Sequence, residues 1–151
     1  MTAQTGFSVI AAEFNKDLIE GMIQAAREEM QASNLPLLRV LRVPGCYEIP
    51  IVADAEARLA NVRGLIVLGY IERGETLHGE VMGHVVNRAL VELQMRVQKP
   101  IGLGIIGPGA TVEQARVRQV GVAKGAVHAV KRVAELLGPQ GQRVASGDTN
   151  A

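Results

Sequence analysis

The sequence has 151 residues, 48% of them apolar, a formal net charge of +1 and one cysteine. This length favours a single domain, and the apolar content argues against disorder. The small net charge gives no electrostatic footprint for nucleic acid, and one cysteine excludes an internal disulfide framework. No apolar run reaches the roughly 20 residues that span a bilayer, and the first residues do not read as a signal peptide. We therefore expect a soluble, cytoplasmic protein without nucleic-acid or membrane partners.

Four short apolar runs predict β-strands. They are rich in β-branched residues and nearly continuous in apolar character, which is typical of strands buried on both faces of a parallel sheet. In chain order they are FSVIAA (7–12), LLRVLRV (37–43), GLIVLGYI (64–71) and IGLGII (101–106).

Segments with helical spacing separate and follow these runs. After Asn15, a candidate N-cap, one helix face carries Leu18, Met22, Ala25 and Ala26, with Met30 beyond them. A short alanine-rich helix is predicted over 49–60. Over 79–97 an apolar residue recurs every fourth position, which predicts an amphipathic helix with this buried stripe: Val81, Val85, Ala89, Leu93, Val97. The last helical region, 111–137, contains Gly121 and Gly125, which predict two helices or one kinked helix.

The order of these elements is β-α repeated four times. Such alternation predicts a parallel sheet with helices on both faces and right-handed crossovers. We find no internal repeat or linker, so residues 1–151 are predicted to form one domain. Its core spans about 7–138, and the small, polar tail 139–151 is expected to be flexible.

The most unusual residues follow the strands. Ligands of open parallel sheets bind beyond the carboxyl ends of the strands, and these ends share one edge. Each predicted strand here runs into a polar segment: EFN (13–15), VPGCYEIP (43–50), ERGETLH (72–78) and GPGATVEQ (107–114). Their expected convergence predicts a ligand site at that edge.

The third segment has the features of an anion site with a proton-transfer group. Gly74 allows the backbone to approach a ligand closely, and Thr76 precedes the amides of a helix N-terminus, which bind phosphate or carboxylate. His78 lies in the first turn, where an imidazole is suited to proton transfer. The alternative is ordinary helix capping by Thr76 and a solvated histidine.

Other residues of the segments have alternative interpretations too. Phe14 is either a core residue or an aromatic face that stacks on a planar ring. Asn15 is interpreted as a helix cap, whereas Glu48 either caps a helix or binds a polar ligand edge. Tyr47 and Cys46 are interpreted as packing residues.

The charged and histidine side chains of the later helices are less informative. Arg116, Arg118 and Lys124 form a solvated face, or one arginine completes an anion site by a bidentate grip on phosphate. His78 and His84 are six residues apart, which is not the spacing of a helical metal pair, so no metal site is predicted.

Taken together, the segments resemble the lumazine synthase family of riboflavin biosynthesis. EFN, VPGCYEIP, LGYIERGETLH, KPIGLGI followed by TVEQA, and KGAVHAV occur in that family's order from about residue 7 to 138. The resemblance implies a flavodoxin-like α/β/α sandwich with a four-stranded parallel sheet. It implies condensation of 5-amino-6-ribitylaminouracil with 3,4-dihydroxy-2-butanone 4-phosphate to 6,7-dimethyl-8-ribityllumazine, phosphate and water. No cofactor is implied, and members form pentamers or sixty-subunit shells, with active sites between adjacent subunits.

The resemblance also implies roles for individual residues. His78 corresponds to the proton-transfer residue, and Glu75, Thr76 and Arg118 correspond to the phosphate site. Phe14 corresponds to the aromatic residue that stacks on the pyrimidine. The other residues implied for the pyrimidine and ribityl chain are Asn15, Cys46, Glu48, Tyr70, Ile71, Glu72, Leu103 and Lys124.

The sequence departs from the family pattern at several positions. Gly79 follows His78 where an aromatic residue is usual, His84 stands where asparagine is common, and Leu103 stands where phenylalanine is frequent. The segment from Arg118 to Lys124 is about two residues shorter than is common, so Arg116 competes with Arg118 for the phosphate.

These departures keep two alternatives open beside the synthase. One is a divergent relative that binds lumazine or flavin with weak or no turnover. Gly79 and Leu103 motivate it, because they are smaller than the aromatic residues usual at these positions and leave less apolar surface around the ligand. An archaeal-type riboflavin synthase would act on two lumazines. The complete RGETLH segment argues against the latter, because that reaction has no phosphate substrate.

Overall fold

The computed structural model describes residues 3–139, which form one sheet flanked by helices. The strands are β1 (Gly6–Ala12), β2 (Leu37–Val43), β3 (Val62–Glu72) and β4 (Ile101–Ala110). The helices are α1 (Lys16–Ala32), α2 (Ile49–Ala57), α3 (His78–Val97) and α4 (Val112–Leu137), and a 3₁₀ turn (Cys46–Glu48) precedes α2. All strand pairs are parallel, in the order β2-β1-β3-β4.

The helices cover the sheet in two layers, each with its own core. α1 and α4 pack together on one face, where Leu18, Met22 and Val127 lie against β1 and β3 residues such as Phe7 and Ile66. α2 and α3 cover the other face, where Ala53 and Leu90 pack with Ile10 and Val67. The predicted α/β/α sandwich of the flavodoxin-like type is confirmed.

The strand and first-helix predictions agree closely with the structure. β2 has the predicted bounds, and β1 starts one residue earlier than predicted. On α1 the predicted face is buried throughout, at Leu18, Met22, Ala25, Ala26 and Met30. Asn15 does occupy the N-cap of α1, but its side chain makes no capping hydrogen bond. It adopts the left-handed conformation, with φ 63°, which asparagine tolerates better than most residues.

The predicted buried stripe of α3 is wrong. Val81 and Val85 are both 52% exposed, and the buried face instead carries Gly83, Val86, Leu90 and Leu93. A four-residue period exceeds the 3.6 residues of a helical turn, so such a stripe winds by about 40° at each step and leaves the core face. Of the predicted stripe, Leu93 is buried, and Val97 is partly buried against the core.

Two boundaries near the chain's end also differ from expectation. β4 continues through Ala110, which pairs with Glu72, so residues 107–110 belong to the strand. α4 is a single helix through Gly121 and Gly125. Two helical glycines cost about 1 kcal/mol each, and burial of Ala123, Val127 and Val130 offsets that cost.

Apart from Pro139, the tail that we expected to be flexible lies outside the described residues. Between residues 3 and 139, no helix is long and apolar enough to cross a membrane.

Candidate active site

A cavity of about 380 Å³ lies beyond the carboxyl ends of β1 and β3. This is where the chain order of the strands reverses across the sheet, the usual ligand position in doubly wound folds. Three of the four polar segments meet there. The lining residues are Phe14, Pro44, Gly45, Cys46, Tyr70, Ile71, Glu72, Arg73, Gly74, Thr76, His78, Gly79 and Met82.

Two aromatic side chains form one wall of the cavity. Phe14 follows β1 and is 49% exposed, so of its two interpretations the core residue is excluded. Its ring centroid lies 6.4 Å from that of buried Tyr70, at an angle of 32°. The Tyr70 hydroxyl donates to the Ala110 carbonyl at 2.9 Å, which fixes the ring, and burial raises the pKa of the phenol. Phe14 therefore presents an open face beside a fixed partner.

Cys46 and Ile71 supply the apolar floor. Both are buried, with exposed fractions of 3% and 4%. Burial, helped by the nearby Glu48 carboxylate, raises the pKa of the Cys46 thiol to about 11. Its side chain is thus a neutral thiol near pH 7 and acts as a small apolar group rather than a nucleophile.

Another part of the cavity lining is the start of α3. The helix begins at His78 and its N-cap, Leu77, makes no side-chain capping bond. The His78 amide donates to the Thr76 hydroxyl at 3.3 Å. The next amides of a first helical turn have no intrahelical acceptor, and the helix dipole makes this end electropositive. The His78 imidazole lines the cavity beside them, so the Thr76 hydroxyl accepts from the first helical amide while the imidazole remains in the cavity lining.

Gly79 permits close packing of α3 against the end of β3. A Cβ at this position would lie 3.2 Å from Cγ2 of Ile71 and 3.3 Å from the Glu72 carbonyl. A larger residue would require these neighbours to shift by a few tenths of an ångström. Met82, one turn further along α3, fills part of the cavity wall instead.

The fourth polar segment lies beside this cavity rather than in its lining. Pro108 and Gly109 border a neighbouring hollow, together with Arg73, Thr76 and His84. The Arg73 amide donates to the Ala110 carbonyl at 2.9 Å, which ties the loop after β3 to the end of β4. The segment thereby supports the loop that carries Arg73 and Thr76.

Three predicted site residues lie close to the cavity without lining it. Asn15 is half-buried next to Phe14, and its carbonyl accepts from Ile19 as α1 begins. Glu48 is exposed at the N-cap position of α2, and its side chain makes no capping bond. Glu75 is exposed in the loop before α3.

Three others lie on different parts of the chain. Leu103 is partly buried in the middle of β4, opposite Val67. Arg118 is exposed on α4 and donates to the Gln114 carbonyl at 3.1 Å. The Lys124 ammonium lies 3.9 Å from the Glu29 carboxylate of α1. The structure therefore does not bring these three side chains to the cavity of their own chain.

Several residues in or beside the cavity were not predicted from the sequence. Arg73 lines both hollows, and within residues 3–139 its guanidinium forms no ion pair. Its place beside Gly74 in the third segment was a readable signal, as was the position of Met82 one turn after His78. Tyr47, interpreted as a packing residue, is 43% exposed, and its ring stands edge-to-face with that of His78. No sequence signal marked that contact.

Known proteins are similar to this chain over most of its length. The family model for 6,7-dimethyl-8-ribityllumazine synthase matches residues 4–138. A 6,7-dimethyl-8-ribityllumazine synthase of Staphylothermus marinus is 38% identical over 125 residues, which cover 83% of each chain. One of Metallosphaera sedula is 35% identical over 129 residues, covering 85% of each chain. One of Pyrobaculum arsenaticum is 36% identical over 127 residues, covering 84% of this chain and 85% of the relative.

The match to the family model spans all four strands and every segment that borders the cavity. The chain therefore belongs to the 6,7-dimethyl-8-ribityllumazine synthase family of riboflavin biosynthesis, whose members are transferases.

Proposed function

We propose that the cavity between β1 and β3 is the site at which this chain acts as a lumazine synthase. It would condense 5-amino-6-ribitylaminouracil with 3,4-dihydroxy-2-butanone 4-phosphate, giving 6,7-dimethyl-8-ribityllumazine, phosphate and water. Family membership supports the reaction. The observation that carries the site is that one cavity is lined both by an exposed aromatic side chain, Phe14, and by His78 at the N-terminus of α3.

The pyrimidine would bind on the aromatic side. The exposed face of Phe14 offers a stacking surface for a planar ring, and buried Tyr70 limits how far Phe14 can tilt. The backbone at Cys46 and the end of β3 at Ile71 and Glu72 offer polar groups to the ring and the ribityl chain. Asn15 and Glu48, which adjoin this wall, would contact the same substrate.

The phosphate would bind at the start of α3. The amides of the first helical turn and the loop backbone at Glu75 and Thr76 provide donors for an anion. Arg73, which lines the cavity without an ion-pair partner in the described chain, adds a cation from the same chain. We assign the second cation to Arg118 of an adjacent subunit, with Arg116 as the competitor on the same helix.

His78 would transfer protons during the reaction. The 5-amine of the pyrimidine attacks the ketone and loses water to form an imine. Loss of the proton on the adjacent carbon expels phosphate and leaves an enol, which tautomerises to a ketone. The ribitylamino nitrogen attacks this ketone, and loss of a second water closes the ring. Each step moves protons on and off nitrogen or oxygen, a task for an imidazole within reach of the reacting atoms. Amides and cations around the phosphate stabilise the departing anion.

We propose that the site is completed by a second copy of the chain, in a pentamer or an assembly of pentamers. Leu103, Arg118 and Lys124 lie away from the cavity of their own chain, so they would have to reach a neighbour's site. The outer surface of α3 exposes Val81, Val85 and Met95, and that of α4 exposes Val117 at 85%. Exposed apolar groups of this kind are typical of surfaces that another subunit covers.

Two further properties complete the proposal. The condensation chemistry needs only acid–base groups and anion donors, so we expect activity without a metal or organic cofactor. We place the enzyme in the cytoplasm, because its lone cysteine is a free, buried thiol, as is usual in a reducing compartment.

The decisive experiment mixes the purified protein with both substrates and follows lumazine by absorbance and fluorescence. A rate far above the uncatalysed condensation, unchanged by a chelator, is expected. The mass of the particle in solution should be at least five times the 16.1 kDa of the chain. Folded protein that binds lumazine or riboflavin without accelerating the condensation would instead identify a binding relative. A monomer with full activity would contradict the shared site.

A further inference from the structure

The backbone that carries the Tyr47 side chain is anchored next to Cys46, a residue of the cavity lining. Tyr47 is the middle residue of the 3₁₀ turn Cys46–Glu48, between the buried residues Cys46 and Ile49. The Glu48 amide donates to the Gly45 carbonyl at 3.2 Å, which closes the turn. With both neighbours anchored in the core, the backbone at Tyr47 is fixed and its side chain, 43% exposed, extends outward.

The His78 side chain has little else to define its orientation. The His78 amide bonds to Thr76, but within residues 3–139 the imidazole itself makes no hydrogen bond or ion pair. Among the residues that the structure describes, its one ring contact is with Tyr47, whose ring centroid lies 6.0 Å away at an interplanar angle of 63°. This is the edge-to-face geometry that aromatic pairs prefer. An exposed histidine without such a contact would populate several rotamers.

Tyr47 and His78 are not equivalent with respect to the cavity. His78 lines it, whereas Tyr47 is not among its lining residues. The ring contact that joins Tyr47 to the cavity lining is therefore the one with the histidine. The Tyr47 hydroxyl has no hydrogen-bond partner in the part of the chain described, so the ring, and not the phenol oxygen, makes the contact.

We infer that Tyr47 is a positioning residue that holds the His78 imidazole in the orientation that faces the cavity. This inference rests on the proposed function, because it matters for catalysis only if His78 transfers protons there. It extends the site beyond the cavity to the turn before α2. It also gives the exposed ring of Tyr47 a role that packing does not supply.

The first test compares Tyr47→Leu, which removes the ring, with Tyr47→Phe, which removes only the hydroxyl. We expect Tyr47→Leu to lower kcat about two- to tenfold, the range corresponding to loss of one aromatic pair. KM for either substrate should change by less than about twofold. The Tyr47→Phe variant should retain most of the kcat of the unsubstituted protein. A Tyr47→Phe variant as slow as Tyr47→Leu would overturn the inference.

The second test repeats the Tyr47→Leu substitution in a His78→Ala background. If Tyr47 acts through the imidazole, it has nothing to position there, and kcat should not fall further. An equal loss in both backgrounds would show that Tyr47 acts independently of His78 and would overturn the inference.

The third test does not depend on activity. In the ¹H–¹³C spectrum, the ring protons of His78 should shift in Tyr47→Leu and stay nearly in place in Tyr47→Phe, with His84 and His128 as internal controls. Spectra of His78→Gln assign the signals. Unmoved His78 signals in Tyr47→Leu would refute the contact. If the signals shift but the unsubstituted protein makes no lumazine, the proposed function is wrong while the contact between Tyr47 and His78 is supported.

Discussion

Polar side chains at the two ends of the sheet differ in whether they have partners within the described chain. At the N-terminal end of the strands, buried Glu56 accepts hydrogen bonds from Ser8 and Arg39, each at 2.6 Å. Buried Lys99 donates to the carbonyls of Ala57 and Leu59, where α2 ends. At the C-terminal end, Arg73 and His78 face a cavity without such partners in the described chain.

The contrast separates stability from function. Polar groups at the N-terminal end are satisfied within the chain, and removing one would leave its buried neighbours unpaired. Arg73 and His78 at the C-terminal end remain available to a ligand, so removing either side chain should affect binding or turnover more than folding. Four predictions test this division.

The largest expected effect is at His78. Replacing it with alanine should lower turnover about a hundredfold, which is about 2.7 kcal/mol in the barrier. Activity should not vanish, because positioning of the two substrates supplies much of the rate. The free energy of unfolding should change by less than about 0.5 kcal/mol, because the side chain is exposed. Steady-state kinetics and urea unfolding measure the two quantities; an unchanged kcat would remove His78 from the mechanism.

The second prediction reverses the pattern at the opposite end. Glu56→Ala should lower the free energy of unfolding by about 2 kcal/mol, because the buried Ser8 hydroxyl and the Arg39 guanidinium lose their partner. Turnover of the folded enzyme should stay within about twofold. Urea unfolding at a fixed chain concentration measures the loss.

A matched control for Glu56 is Glu20 of α1, which accepts two hydrogen bonds from Arg42 at the surface. Glu20→Ala should cost less than about 1 kcal/mol. Equal losses at the two positions would mean that burial of Glu56 does not set its contribution.

The third prediction concerns the phosphate. Arg118→Gln should raise KM for the butanone phosphate about tenfold, as expected for loss of one charge-assisted hydrogen bond. KM for the pyrimidine should change by less than about twofold. Arg116→Gln is the control on the same helix, and Arg73→Gln tests the cation from the cavity's own chain. If only Arg116→Gln raises KM, the assignment moves to Arg116.

The smallest effect concerns pH. Burial raises the pKa of Cys46 from 9.0 to about 11, so above pH 9 the unfolded chain loses a proton that the folded chain keeps. The free energy of unfolding should therefore fall as pH rises from about 9 to 11, by about 1 kcal/mol at pH 10. Unfolding of Cys46→Ala across this range should lack that part of the loss. An identical pH dependence in both proteins would contradict the raised pKa.

The fold was largely predictable from the sequence. The apolar runs mark strands because both faces of a parallel sheet are covered, as the buried residues of β1 and β3 show, whereas the edge strand β2 is only partly buried. The outer face of α3 was not predictable. Apolar residues such as Val81 and Val85 show that a surface is hydrophobic, but not whether it packs on the chain's own sheet or is left exposed.

The site was predictable only in part. Parallel strands bring their carboxyl ends to one edge, so the meeting of Phe14, Tyr70 and His78 followed from topology. The direction of a side chain within a turn depends on its neighbours in space. The contact between Tyr47 and His78 could therefore not be predicted from the sequence. The capping box of α4, in which Thr111 and Gln114 bond each other's backbone amides, was readable in TVEQ and was missed.

The approach of β4 to β3 has a consequence for anyone who randomises this region. Gly107 has φ +93°, and a Cβ there would lie 2.2 Å from the Ile71 carbonyl. Every other amino acid would push apart the strand ends that carry the cavity floor and the loop of Arg73. In a library that saturates residues 105–109, selection for lumazine formation should thus return glycine codons alone at this position.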